Sequence, residues 1–338
     1  MPENKKVVPV ADMHCDTISE ILAARRRGEA CSLRSNRLHV DVEKLKRAGC
    51  LVQNFAMFLD LKETEQPWET CLQMIRLYRE EIAANREEIA EMLSYNDLKK
   101  NREHGRISAL LTVEEGEAAM GSLERLRLLY EQGVRMITLT WNYNNSVGHP
   151  NACLPDGTRL AYGIPNTEYG LTEFGVDFVQ EMERLGMLVD VSHLSDAGFY
   201  DVLRVTRQPF VASHSNARSV CPHVRNMTDD MIKKLAERGG VMGINFCPFF
   251  LDKAQNGTQA VGTMDQIVAQ IRYIQNLAGE DCIGIGSDFD GIPPHSEIRD
   301  AAELPRLADR LKREGFSETA IDKLFYKNVL RVYQAVLI

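Results

Sequence analysis

Five short apolar runs of the sequence each end in side chains that bind metals or move protons. A single histidine or acid in such a place is more often structural or merely solvated, so only the recurrence is informative. The residues that share this position are His14 with Asp16, Glu114 with Glu115, His193, His214, and Asp288 with Asp290. Imidazole and carboxylate groups together suit zinc, manganese or iron. The pattern therefore predicts a metal site assembled from several separate segments.

The number of these residues favours a pair of metal ions over one. His14 and Asp16 are two positions apart, so in a strand both side chains point the same way. The eight cysteines are scattered without a CxxC pair, which argues against a thiolate site. One open zinc site uses fewer ligands than are present here, whereas two ions can share a bridging carboxylate. Such a pair activates a bridging water and polarises a carbonyl or phosphoryl oxygen.

The elements that must position these residues alternate regularly along the chain. The predicted strands are Val7–Met13, Leu51–Phe58, Ile107–Val113, Val134–Thr140, Met187–Val191, Pro209–Ser213, Gly240–Phe246 and Cys282–Gly286. Helical patterns occur at about 17–28 with 41–48, and at 67–94, 123–132, 172–186, 196–207, 228–238, 263–278 and 299–336, the last of which splits at Gly315.

Eight such units without a break in composition predict an α/β fold, a single (β/α)8 TIM barrel over residues 1–338. The length of 338 residues would also allow two domains. A doubly wound open sheet is the alternative fold, but the Gly-rich phosphate turn typical of it is absent after the first strand. In a barrel, function collects where the strands end, which is where the ligand-type residues lie.

The segment 142–170 is long, polar and rich in Gly and Pro. Loops of this length are uncommon in compact domains unless they have a function, so we expect a lid beside the barrel mouth. Trp141 directly precedes this segment and ends the fourth predicted strand. A wall of a substrate site and ordinary core packing are equally good interpretations of Trp141.

Composition excludes several classes of partner. The net charge is −8, whereas a nucleic-acid surface needs a basic footprint. The apolar stretch near the N-terminus is too short for a signal peptide or a membrane span, so we expect a cytoplasmic protein without membrane attachment. Whether the chain forms a homodimer is left open.

The motifs taken together resemble the membrane (renal) dipeptidase family, peptidase family M19. The resemblance runs over nearly the whole chain and rests on MHCDT, LLTVEEGEAAMGSLERLRLLYEQGVRMITLTWNYNN, LTEFGVDFVQEMERLGMLVDVSHLSD, SHSNARSVCPHVRN and IGSDFDG. It implies a barrel of the metallo-dependent hydrolase type with a binuclear zinc centre. The missing leader and lipid anchor imply a soluble, bacterial-type member.

The resemblance also implies roles for individual residues. The implied metal ligands are His14 and Asp16 for one ion, His193 and His214 for the second, and Glu114 as the bridging, catalytic carboxylate. Glu115 then stands where the family commonly has Gly and is not expected to be a ligand. Asp288 matches a catalytic acid that handles the proton and contacts substrate, and Arg225 matches an arginine that helps to bind substrate. Trp141 replaces a substrate-binding His of the renal enzyme.

The implied activity is hydrolysis of dipeptides, including those with a C-terminal D-residue, by attack of a metal-bridging hydroxide. One alternative is another binuclear barrel amidohydrolase acting on a non-peptide amide or ester. Such enzymes usually contain a bridging lysine, and we find no candidate lysine at a strand end. A non-enzymatic binding scaffold is the other alternative, and it predicts damaged ligands, whereas all five are present.

Overall fold

The computed structural model describes residues 7–161, 163–251, 260–293 and 296–337. Its strands are β1 (Val10–Asp12), β2 (Cys50–Phe58), β3 (Ile89–Glu91), β4 (Ile107–Glu114), β5 (Met136–Thr138), β6 (Leu188–Asp190), β7 (Val211–Ala212), β8 (Val241–Ile244) and β9 (Ile283–Ile285). All the pairings between these strands are parallel.

Eight of the strands close into a barrel. The ring runs β1, β2, β4, β5, β6, β7, β8, β9 and returns to β1. The longest pairing joins β2 to β4 in continuous register from Val52 with Ser108 to Phe58 with Glu114. These eight strands lie within or overlap the eight predicted runs, so the predicted (β/α)8 barrel is confirmed.

Helices surround the ring and connect its strands. They are α1 (Thr17–Arg26), α2 (Val42–Ala48), α3 (Pro67–Ala84), α4 (Tyr95–Glu103), α5 (Leu123–Glu131), α6 (Glu173–Leu185), α7 (Asp196–Val205), α8 (Asp229–Glu237), α9 (Pro248–Leu251), α10 (Met264–Ala278), α11 (Leu304–Arg313), α12 (Glu318–Asp322) and α13 (Asn328–Val336). The predicted break near Gly315 is present, and the Ser317 side chain accepts the Ala320 N–H to begin α12. No helix within the described ranges combines the length and the apolar character needed to span a membrane.

The prediction of one helix over 67–94 was wrong at its C-terminal end. Helix α3 stops at Ala84, and the chain then forms the short strand β3, which pairs with the start of β4 outside the ring. Ile89 is fully buried in that pairing. The apolar residues here have helical spacing, but the chain forms a strand because pairing with β4 buries Ile89. Helix α4, which the helical patterns did not predict, follows after a capping box formed by Ser94 and Asp97.

The barrel is narrow where β7, β8 and β9 meet. A Cβ atom on Gly286 would overlap the carbonyl oxygen of Ser213, so only glycine allows these backbones to approach so closely. Gly286 and Ser213 each lie within two residues of a predicted site residue, Asp288 and His214 respectively. The close approach therefore brings the ends of β7 and β9 together at the barrel mouth.

Candidate metal centre and substrate cavity

A cavity of about 340 Å³ opens at the carboxyl ends of the barrel strands. It is lined by predicted site residues from several strands together with aromatic and acidic neighbours. These lining residues include Asp16, Glu20, Phe58, Asp60, Glu114, Trp141, Asn142, His193, Arg225, Phe250 and Asp288. Such concave sites at this face of a barrel hold ligands in characterised enzymes.

Glu114 is the last residue of β4 and lies at the centre of the cluster. Its Oε2 atom is 3.3 Å from Nε2 of His14, while its Oε1 atom is 3.0 Å from Nε2 of His193 and 3.5 Å from Nε2 of His214. The two oxygens of one carboxylate thus face different histidines. A carboxylate oriented in this way is suited to bridge two cations.

His14 lies just beyond β1 and is fully buried. Its Nε2 atom is 3.6 Å from Oδ2 of Asp16, where α1 begins, and 3.9 Å from Oδ1 of Asp288. Buried Asp12 accepts the backbone N–H of His14 and the hydroxyl of Ser287, at 3.3 and 2.6 Å. Asp12 therefore ties the end of β1 to the segment after β9.

Polar side chains contact the Nδ1 atoms of His193 and His214 and so orient the two rings. Nδ1 of His193 is 3.1 Å from Oδ1 of Asn142, and Nδ1 of His214 is 2.7 Å from Oγ of Ser213. The Ser213 hydroxyl in turn donates to Asp190 at 2.5 Å. These contacts leave both Nε2 atoms directed at the cluster, 3.0 Å from one another.

The donor set fits divalent cations. Three overlapping groups of buried side chains each place their ligand atoms within 4.8 Å of one another; the groups are His14–His214–Asp288, Glu114–His193–His214 and His14–Asp16–Glu114. Both ring nitrogens of His14 and Oδ1 of Asp16 are buried without a hydrogen-bond partner in the part of the chain that the structure describes. Such unpaired groups are costly unless something satisfies them, and a bound cation would do so.

Burial controls the protonation of His193 and His214. It lowers the pKa of His193 to about 3, with the Arg225 cation acting in the same direction, and it lowers the pKa of His214 well below its ordinary value. Both rings are therefore neutral near pH 7, and neutral imidazole is the form that binds metals. Burial also disfavours the charged form of His14, but the Glu114 and Asp16 carboxylates outweigh this effect and raise the pKa of His14.

Asp288 and Asp290 follow β9 but face different partners. Asp288 accepts a hydrogen bond from Nδ2 of Asn245 at 2.8 Å and lines the cavity, and burial raises its pKa to about 6. Asp290 accepts from the Thr17 hydroxyl at 2.5 Å and from the His39 backbone N–H at 2.6 Å. Of the two, only Asp288 is a member of one of the three groups of candidate ligands among the described residues.

Arg225 is a buried cation at the edge of the cluster. Its Nη2 atom donates to the His214 carbonyl oxygen at 3.1 Å, and its guanidinium lies 5.4 Å from the ring centre of Phe250. Its Nε and Nη1 atoms are buried and lack a hydrogen-bond partner among the described residues. A guanidinium with unused donors in a cavity is suited to bind a carboxylate.

Trp141 directly precedes the segment 142–170, and Glu115 directly follows β4. The Trp141 ring lines the cavity, with its centre 4.8 Å from that of Phe58 and 6.2 Å from that of His193. Glu115 points away from the cluster and accepts the Trp141 N–H at 3.0 Å. Burial raises the pKa of Glu115 to about 7. Asn142, the first residue of the segment, also lines the cavity, and the lid over residues 142–170 stays a prediction.

Sequence reasoning missed the residues that orient the cluster. Asn142 and Asn245 contact His193 and Asp288, while Asp12 and Asp190 support the ends of β1 and β7. The sequence contained a feature that could have identified three of them, Asn245, Asp12 and Asp190. Asn245 directly follows β8, while Asp12 and Asp190 are acids inside otherwise apolar strands, where an unpaired carboxylate would be costly. Asn142 lies in a polar loop with nothing to distinguish it.

The fold and the cluster together define a (β/α)8 barrel with a candidate metal site at the carboxyl ends of its strands. The family model of membrane dipeptidase, peptidase family M19, matches residues 4–337. The chain therefore belongs to this family and is a metallo-dipeptidase, as the sequence motifs had indicated.

Similar proteins agree with this assignment. The chain is 33% identical over 311 residues to an uncharacterized dipeptidase of Schizosaccharomyces pombe, covering 88% of this chain and 72% of the relative. A crystal structure of the M19 metallopeptidase dipeptidase AC is 27% identical, with a TM-score of 0.87 over 98% of this chain and 99% of that one. A metallopeptidase from Rhodobacter sphaeroides, bound to a phosphinate mimic of the dipeptide L-Ala-D-Ala, is 26% identical. Its TM-score is also 0.87, over 98% of this chain and 100% of that one.

Proposed function

We propose that this enzyme hydrolyses dipeptides with two divalent ions, zinc in the first instance. His14 and Asp16 would hold one ion, His193 and His214 the other, and Glu114 would join them. The observation that carries this proposal is the division of the Glu114 carboxylate, whose Oε2 atom faces His14 while Oε1 faces His193 and His214. A single ion would not require both oxygens to face separate sets of ligands.

When bound, such ions lower the pKa of a water molecule and polarise the carbonyl group of the substrate. The chain itself supplies orientation and proton transfer. Asn245 holds Asp288 so that its other oxygen is available to take the proton of the attacking water and give it to the departing amine. Phe58 and Trp141 form an apolar wall that limits the access of bulk water to the reacting bond.

The unused donors of Arg225 suit the free C-terminal carboxylate of a short peptide. A site that binds this carboxylate close to the reacting bond selects the last peptide bond of a short peptide. The Rhodobacter sphaeroides neighbour binds a mimic of L-Ala-D-Ala. We therefore include dipeptides with a C-terminal D-residue among the substrates.

The experiment that tests this function is a panel of dipeptides run on protein of measured metal content. The panel contains L–L and L–D pairs, the matching tripeptides and the matching dipeptide amides. We expect hydrolysis of free dipeptides, including L–D pairs, and slow or absent turnover of tripeptides and amides. Faster turnover of the amides than of the free dipeptides would contradict the proposal. The cytoplasmic location stays a prediction.

Replacing Arg225 by Met should lower kcat/KM for free dipeptides by about 10–150-fold, because charge-assisted hydrogen bonds to a carboxylate contribute roughly 1.5–3 kcal/mol. The same substitution should cost far less for dipeptide amides, which lack the charge that Arg225 binds. Steady-state kinetics on matched acid and amide substrates measure both effects.

The controls are Arg225→Lys, which keeps the charge but loses the planar fork, and Arg207→Met, which removes an exposed arginine. We expect an intermediate loss for Arg225→Lys and none for Arg207→Met. Equal losses on acid and amide substrates in Arg225→Met would show that this residue does not bind the carboxylate.

A further inference from the structure

Glu115 is fully buried in a backbone conformation that few residues other than glycine adopt. Its φ is 119° and its ψ is 106°. A side chain in this region is strained, and it persists only where surrounding contacts hold it in place. The contacts here are hydrogen bonds to both carboxylate oxygens. Oε1 accepts the Glu117 N–H at 2.9 Å and the Asn145 side-chain amide, and Oε2 accepts the Trp141 N–H at 3.0 Å.

One of these three donors, Trp141, belongs to the wall of the cavity. Trp141 presents its ring to the cavity, and the next residue, Asn142, lies with Oδ1 3.1 Å from Nδ1 of His193. Asn145 continues the network, because its Oδ1 accepts the N–H groups of Val147 and Gly148 at 2.8 and 2.9 Å. The Glu115 carboxylate thus anchors the first turn of the segment 142–170.

The position of Glu115 in the chain links the loop to the cluster of candidate ligands. It directly follows Glu114, the last residue of β4, but its side chain has different partners. One carboxylate faces the cluster of candidate ligands while the next faces the loop. The wall and the cluster are therefore tied to the same two residues of the backbone.

We infer that Glu115 is a positioning residue, whose carboxylate fixes the Trp141 ring at the wall of the cavity. Without it, the Trp141 N–H and the Asn145 side-chain amide lose their acceptor, and the substrate meets a loosened wall. The role goes beyond the proposed function. The inference is tested by a fluorescence experiment and by a kinetic experiment. Only the kinetic experiment depends on the proposed function.

The fluorescence experiment uses the emission of Trp141. The chain has two tryptophans, Trp68 and Trp141, so Trp68→Phe leaves one reporter at the cavity. In that background, Glu115→Ala should shift the Trp141 emission to longer wavelength and make it more accessible to a neutral quencher such as acrylamide. Glu115→Gly should behave like Glu115→Ala, because it relieves the strained backbone but provides no acceptor. Glu115→Gln keeps one acceptor oxygen and should lie between Glu115→Ala and the parent.

The kinetic experiment compares KM with kcat. Glu115→Ala should raise KM for a dipeptide by about tenfold, since small displacements of binding groups reduce productive binding, and should lower kcat less. Metal content should equal that of the parent. Asp201→Asn is the matched control, because Asp201 accepts the Leu171 N–H at 2.9 Å just beyond the other end of the same segment. It should leave the Trp141 emission and KM unchanged.

Three results would overturn the inference. A loss of thermal stability in Glu115→Ala with unchanged emission and KM would make Glu115 purely structural. Metal loss in proportion to activity would assign it to support of the metal ligands. Equal changes in Asp201→Asn would show general loosening of the loop. If the parent hydrolyses no dipeptide, the proposed function fails, while the emission of Trp141 still decides the role of Glu115.

Discussion

Protein stripped of metal by a chelator should hydrolyse no dipeptide, and about two equivalents of zinc or manganese per chain should restore the activity. The physical reason is the cluster itself, in which His14 and Asp16 present buried atoms without hydrogen-bond partners in the described parts of the chain. Two of the three ligand groupings include Glu114, and its two oxygens face different histidines. Two cations held by this cluster would supply the acidity that the attacking water needs.

Elemental analysis of the active protein, followed by titration of the apoprotein with metal, measures this stoichiometry. Glu114→Ala should lower the metal content and the activity together, because it removes the residue shared by both proposed sites. His104→Ala changes an exposed histidine at the end of α4 and should alter neither quantity. Full activity with one bound ion, or with none, would refute the binuclear proposal.

Replacing Asp288 by Asn should lower kcat by about 10²–10⁴-fold, the usual contribution of a positioned acid or base. Asp288 lines the cavity with one oxygen held by Asn245, so an isosteric amide keeps the shape of the site but cannot carry the proton. Metal content should stay close to that of the parent, because the proposed ligands are His14, Asp16, Glu114, His193 and His214. Single-turnover kinetics and metal analysis on the same preparation test both statements.

A companion variant separates proton transfer from positioning. Asn245→Ala leaves the Asp288 carboxylate intact but removes the amide that orients it, so we expect a smaller fall in kcat than in Asp288→Asn. If Asp288→Asn loses metal in proportion to activity, Asp288 is a metal ligand. The grouping of His14, His214 and Asp288 is the geometric basis of that alternative.

The periodicity of the sequence was enough to predict the barrel and the end of it that carries the site. Alternating apolar runs and amphipathic stretches specify strands and helices locally, and parallel strands in a closed barrel necessarily bring their carboxyl ends together. For this reason His14, Glu114, His193, His214 and Asp288 were predicted to lie close together before any contact was known. The family motifs then pointed to a dipeptidase, which the match over residues 4–337 confirmed.

The region after α3 shows where local pattern was insufficient. The residues 89–91 have the spacing of a helix, yet they form β3 because β4 offers a partner that buries Ile89. That partner lies further along the chain, and the helical period contains no information about it. Tertiary burial decided this element.

The orientation of the acids at the barrel mouth was also decided by tertiary structure. Asp288 and Asp290 are two residues apart, which in a strand predicts the same direction. Both instead have positive φ, at 62° and 69°, and the chain turns so that Asp288 faces Asn245 while Asp290 faces His39 and Thr17. In the same way Glu114 faces the histidines while Glu115 holds Trp141. Each choice depends on donors from distant segments, so residue type and spacing identified the acids but only the assembled barrel selected the role of each.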